Sequence, residues 1–127
     1  MKKWVPGRTE PMLKLSDAVR AALLANGRLQ REAKGRSLDF EPVVKLFTPD
    51  GAGTWLLTEI DPDNTDIGFG LADLGFGCPE LGYVSLAELG EVRGGLGLPV
   101  ELDRYFRADK PLSAYAAAAR AAGRIVT

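Results

Sequence analysis

The chain has no histidine and a single cysteine, Cys78. Without an imidazole, every Ser–His–acid triad, Cys–His pair and His-ligated zinc site is excluded. One thiol allows neither an internal disulfide nor a thiolate cluster for zinc or iron–sulfur, and it fits a reducing compartment. No apolar run approaches the roughly 20 residues that span a bilayer. The start, Met1-Lys2-Lys3-Trp4-Val5-Pro6-Gly7, is basic but lacks the apolar stretch of a secretory signal. A cytoplasmic protein without membrane association is therefore expected. Catalysis would have to rest on carboxylates, Lys, Tyr, Ser/Thr or Cys78, so a non-enzymatic role is favoured and no cofactor or metal is assigned.

What the chain does have is charge sorted along its length. Residues 1–36 carry Lys2, Lys3, Arg8, Lys14, Arg20, Arg28, Arg31, Lys34 and Arg36 against three acids. Residues 37–103 carry thirteen acids against only Lys45 and Arg93, and residues 104–127 carry five bases against Asp109. A net charge of −1 thus hides an acidic middle between two basic ends. That pattern bears on partners and names no reaction. With 127 residues, 46% hydrophobic and 26% charged, there is room for one globular core.

Residues 1–11 read as a loose basic arm, interrupted by Pro6, Gly7 and Pro11, and residues 12–127 as a single α+β domain. Ser16 is an N-cap for a helix carrying Ala18, Val19, Ala22 and Leu23 at helical spacing. Asn26-Gly27 is expected to close it, with Arg28 to Lys34 as a polar second piece. The period then changes. Val43 to Thr48 and Thr54 to Ile60 are β-forming runs separated by the turn-rich Pro49-Asp50-Gly51-Ala52-Gly53. Asp61-Pro62-Asp63-Asn64 reads as a turn, residues 67–73 as a third strand and residues 81–84 as a fourth. An antiparallel meander of about four strands over residues 43–84 follows, with an N-terminal helix and C-terminal helices covering one face. Ser85-Leu86-Ala87-Glu88 is a capping-box signature. Pro99 is expected to open a short helix through Phe106, and Pro111 an alanine-rich helix that stops at Gly123.

The motifs that invite chemistry have plainer explanations. The run Asp61 to Asp66 fails the calcium-loop spacing, because Asp66 stands where glycine is needed and Ala72 where glutamate is. Gly68-Phe69-Gly70, Gly75-Phe76-Gly77 and Gly94-Gly95-Leu96-Gly97 lack the lysine and the strand–helix setting of phosphate loops. Glu59, Asp61, Asp73 and Glu80 are the set from which a carboxylate pair could be drawn, which requires two of them close together. Trp55, Phe47, Phe69 and Tyr83 are read as core aromatics. The small-residue face of Gly68, Gly70 and Ala72 suits a closely packed helix, and the alanine-rich segment 112–122 fits that place.

Longer segments carry a resemblance. Leu24 to Arg28, Val44 to Pro49, Thr54 to Glu59, Pro79 to Leu86, Arg93 to Pro99 and Asp109 to Tyr115 resemble an uncharacterised bacterial domain family. Its genes occur on conjugative plasmids and other mobile elements, mostly in proteobacteria, often beside antirestriction genes. The resemblance runs from about Leu13 to Val126 and leaves the basic arm outside. It implies a setting near host defence or transfer machinery, and it carries no catalytic residues.

The leading expectation is a binding protein whose acidic rim, Glu59, Asp61, Asp63, Asp66, Asp73 and Glu80, docks on a basic protein partner. The alternative is nucleic-acid binding through Lys2, Lys3, Arg8, Arg28, Arg31, Lys34 and Arg36. A carboxylate-based metal enzyme ranks third. Oligomeric state is left open.

Overall fold

The computed structural model describes residues 13–127. The basic arm, with Lys2, Lys3 and Arg8, lies outside them. Helix α1 (Asp17–Glu32) starts where expected: the Ser16 hydroxyl accepts the Val19 N–H at 3.1 Å, and Asp17 lies in the positive first turn. It does not end at Asn26-Gly27. Gly27 is buried mid-helix against strand β2 (Thr54–Asp61), where a Cβ would sit 1.9 Å from the Ile60 carbonyl oxygen. Asn26 donates its side-chain amide to the Thr58 carbonyl at 2.9 Å. The pair is therefore the contact at which helix and strand touch, and Leu23, fully buried one turn earlier, anchors it. Emptying that site with Leu23→Ala would cost about 2–5 kcal/mol.

Strands β1 (Val44–Phe47), β2, β3 (Asn64–Asp73) and β4 (Glu80–Ser85) form the expected antiparallel meander. A fifth strand, β5 (Glu101–Leu102), pairs with β1, giving the order β4-β3-β2-β1-β5. The helix expected from Pro99 through Phe106 is thus replaced by an edge strand. Leu102 lies opposite Leu46, Val100 is buried in the core, and the Asp103 N–H donates to the Lys45 carbonyl. An open ladder on β1 and a buried apolar anchor outweigh weak helical propensity.

Neighbouring residues of β2 feed two separate cores. Trp55, Leu57 and Ile60 pack with Leu23 of α1 and with Leu86 and Leu89 of the short helix α2 (Leu86–Glu91). Leu56 and Leu71 pack instead with Leu112, Tyr115, Ala116 and Ala119 of α3 (Leu112–Ala122). A bulge between Leu57 and Glu59 keeps Ile60 on the face of Leu57, which strict alternation would forbid. The fold is α+β as expected, but its helices do not cover one face: α1 and α2 pack on one side of the sheet and α3 on the other.

The partnering of those faces also differs from expectation. The alanine-rich helix packs on the large-residue face of β3, by Leu71 and Phe69, and not on the Gly68–Gly70–Ala72 face. The small face receives large side chains: a Cβ at Gly68 would meet Leu57 and Leu86. Each face is filled by pairing small residues with large ones, which close packing demands.

Candidate functional site

The hairpin joining β2 and β3 gathers much of the chemistry. Asp61 pairs with Asn64 across it, and the Asp61 carboxylate accepts the Asp63 N–H at 2.8 Å, fixing the turn through Pro62. Because α1 crosses β2 so closely at Gly27, its next turn brings Gln30 and Arg31 beside this hairpin. The Arg31 guanidinium meets the Asp63 carboxylate at 2.6 Å, with both side chains largely exposed. Between them opens a cleft of about 300 Å³ lined by Gln30, Arg31, Glu59, Asp61, Phe69 and Tyr83, among others.

Glu59 is half-buried, and that burial pushes its carboxyl above the usual glutamate range, only partly offset by the Thr58 hydroxyl at 3.4 Å. Phe69 and Tyr83 are directly opposed on β3 and β4, with ring centroids 5.1 Å apart and planes tilted by 60°. Tyr83 is 76% exposed, so it is a surface aromatic and not the core residue expected of it. Carboxylates beside an accessible ring suit a Lys or Arg side chain, whose charge can face Glu59 and Asp61 while its plane or stem lies on Tyr83.

The remaining acids of the expected rim are elsewhere or otherwise engaged. Asp66 accepts the Ser85 hydroxyl at 2.6 Å and the Ala87 N–H at 2.9 Å, so β3 caps the start of α2. Those hydrogen bonds, Ser85 first, hold its carboxyl below the usual aspartate range. Asp73 is buried, accepting the Gly75 N–H and, at 2.9 Å, the Ile125 N–H of the C-terminal segment. Glu80 is exposed opposite Ala72, at the same far end of β3 as Asp73. Asp73 lies seven positions along the strand from Asp66, or roughly 23 Å. One continuous rim is therefore not formed; Glu59, Asp61 and Asp63 come together, and Asp73 and Glu80 do not join them.

Two acids outside the expected set show the same inward use. Asp39 accepts the Ser113 N–H at 3.0 Å and its hydroxyl, supplying the N-terminal cap that Pro111 does not give α3. Asp50 accepts from the Leu96 and Leu98 amides, and its backbone carbonyl accepts from Gly95. The glycine run 94–97 closes around this carboxylate, since a Cβ at Gly94 would fall 1.7 Å from Asp50 Oδ1.

Of the alternative basic set, Arg28, Arg31, Lys34 and Arg36 are described, all exposed at or just beyond the C-terminal half of α1. Cys78 is exposed. Among the described residues no three His, Cys, Asp or Glu side chains are grouped to hold a metal ion, and no helix is long and apolar enough to cross a membrane.

Sequence reasoning passed over Phe69 and Tyr83 as site residues. The signal was present in the meander itself: a last strand lies at the sheet edge, where its ring can outrun the helix that covers its neighbours.

No curated protein and no solved structure matches the chain. A family model described as "Protein of unknown function (DUF2958)" matches residues 14–126, and the chain belongs to that family.

Proposed function

We propose that the protein is a small non-enzymatic binding module that docks a basic segment of a protein partner in the cleft beside the β2–β3 hairpin. The observation that carries this reading is the convergence of Glu59, Asp61 and Asp63 with the exposed Tyr83 ring around one cavity. A cation entering it gains Coulombic attraction where part of the wall is desolvated, and a π face on the other side. The acidic middle of the chain speeds encounter with such a partner. The plasmid and antirestriction setting implied by the sequence resemblance supports a partner that itself handles DNA. A surface that normally binds phosphates offers the arginines and lysines this cleft accepts.

Fluorescence anisotropy with a labelled arginine-rich peptide tests the reading. Wild-type affinity falls as salt rises. Tyr83→Ala and Glu59→Gln each weaken binding by about fivefold, the scale of an exposed cation–π or charge contact. Because the Glu59 carboxyl is raised, binding begins to weaken at a higher pH than an ordinary glutamate would dictate. Binding indifferent to salt and to both substitutions would sink the proposal. Tighter binding to a DNA duplex, lost on replacing Arg28, Lys34 and Arg36 together, would favour the nucleic-acid alternative.

A further inference from the structure

We infer that the outer edge of β4 is a docking strand, which receives an extended segment of the basic partner as a sixth strand of the sheet. The inference rests on the binding reading above and specifies the form of the ligand. Strand β4 ends the sheet, and its residues from Glu80 to Ser85 pair with β3 without a register shift, leaving the opposite edge regular. Such an edge presents unpaired N–H and C=O groups, and proteins usually blunt it with lysine, proline or a bulge. Strand β4 has none of these, and Leu81 and Tyr83 stand 43% and 76% exposed along it. The other edge differs: β5 is only two residues long.

Concavities flank this edge on both sides. Toward Phe69 lies the acidic cleft, to which Tyr83 contributes. Toward α2 lies a second groove of about 230 Å³, lined by Val84, Ser85, Glu88, Leu89 and Val92 and bordered, like the first, by Tyr83. Side chains of a strand alternate between faces. An added strand therefore places every second residue on the face of Tyr83, at the outer side of the acidic cleft, and the intervening ones on the face of Val84, Leu89 and Val92. The fitting ligand alternates basic and apolar residues over about six positions, roughly 20 Å. Charge complementarity selects a basic partner over a second copy, because β4 contains no Lys or Arg to place in its twin's cleft.

Three hexapeptides of related composition provide the test: an alternating Arg-Val repeat, the blocked Arg-Arg-Arg-Val-Val-Val, and the alternating peptide N-methylated at every second residue. The alternating peptide binds at least tenfold more tightly than the blocked one, slows amide hydrogen exchange in residues 81–85, and loses both effects on N-methylation. Equal affinity for all three without exchange protection overturns strand addition but leaves the acidic cleft as a cation site. Absence of binding by any peptide overturns both readings. A peptide-free dimer in sedimentation equilibrium with residues 81–85 protected would assign the edge to a second copy and overturn the inference.

Discussion

The two ends of the sheet use the same residue type in opposite ways. At the end where β1 meets β2 and β3 meets β4, Asp50 and Asp73 turn inward and accept backbone amides from distant segments, the 94–98 loop and the chain before Thr127. At the β2–β3 hairpin, Glu59, Asp61 and Asp63 face a cleft and one guanidinium. The difference separates carboxylates that bind amides of distant segments from those that stay at a cleft with only local partners, the Asp63 N–H for Asp61 and Arg31 for Asp63. Local density of negative charge does not make that distinction; the distinction lies in whether an unpaired N–H from a distant segment is brought within reach.

The comparison can be broken most forcefully at Asp73. Asp73→Ala leaves the buried Ile125 N–H unpaired and removes the acceptor of the Gly75 N–H, and is expected to lower stability by about 1–3 kcal/mol in urea unfolding. An unchanged midpoint would show that the loop end does not depend on its acid. Asp66 offers a subtler probe by pH. Its carboxyl is lowered in the folded state, so its contribution is complete above the unfolded aspartate value of about 3.9 and is lost as pH falls through the folded one. Asp66→Asn should therefore be less stable than wild type at pH 7, and the gap should close toward pH 2. A gap that persists in acid would remove the charge from the explanation. At the hairpin end, Arg31→Ala severs only an exposed pair. The expected loss is about 0.2–1 kcal/mol, read by thermal melting in low salt. A larger effect would mean that the hairpin's charges are structural too, erasing the contrast.

Much of the backbone was legible because its signals are local. The β-branched and aromatic runs from Val43 to Thr48 and Thr54 to Ile60, the Pro49–Gly53 turn and the Ser16 and Ser85 caps each act within a few residues. Asn26-Gly27 misled because the glycine answers to Ile60 in space and not to the end of its own helix. Residues 100–102 misled because their partner, β1, lies more than fifty positions earlier. The cleft was half legible: Glu59, Asp61 and Asp63 were singled out by charge, whereas Tyr83 was assigned to the core by residue type. Its exposure depends on which face α3 covers and how far that cover reaches, and alternation along a strand does not encode either.

The loop around Asp50 also bears on how its glycines should be regarded. All five amides from Gly94 to Leu98 already have acceptors, three of them on Asp50. Any incoming nucleotide phosphate would have to displace a carboxylate fastened to the same polypeptide, present at an effective concentration on the order of millimolar or more. A free anion in a cell rarely wins that contest, so this glycine-rich turn works as a self-occupied lock.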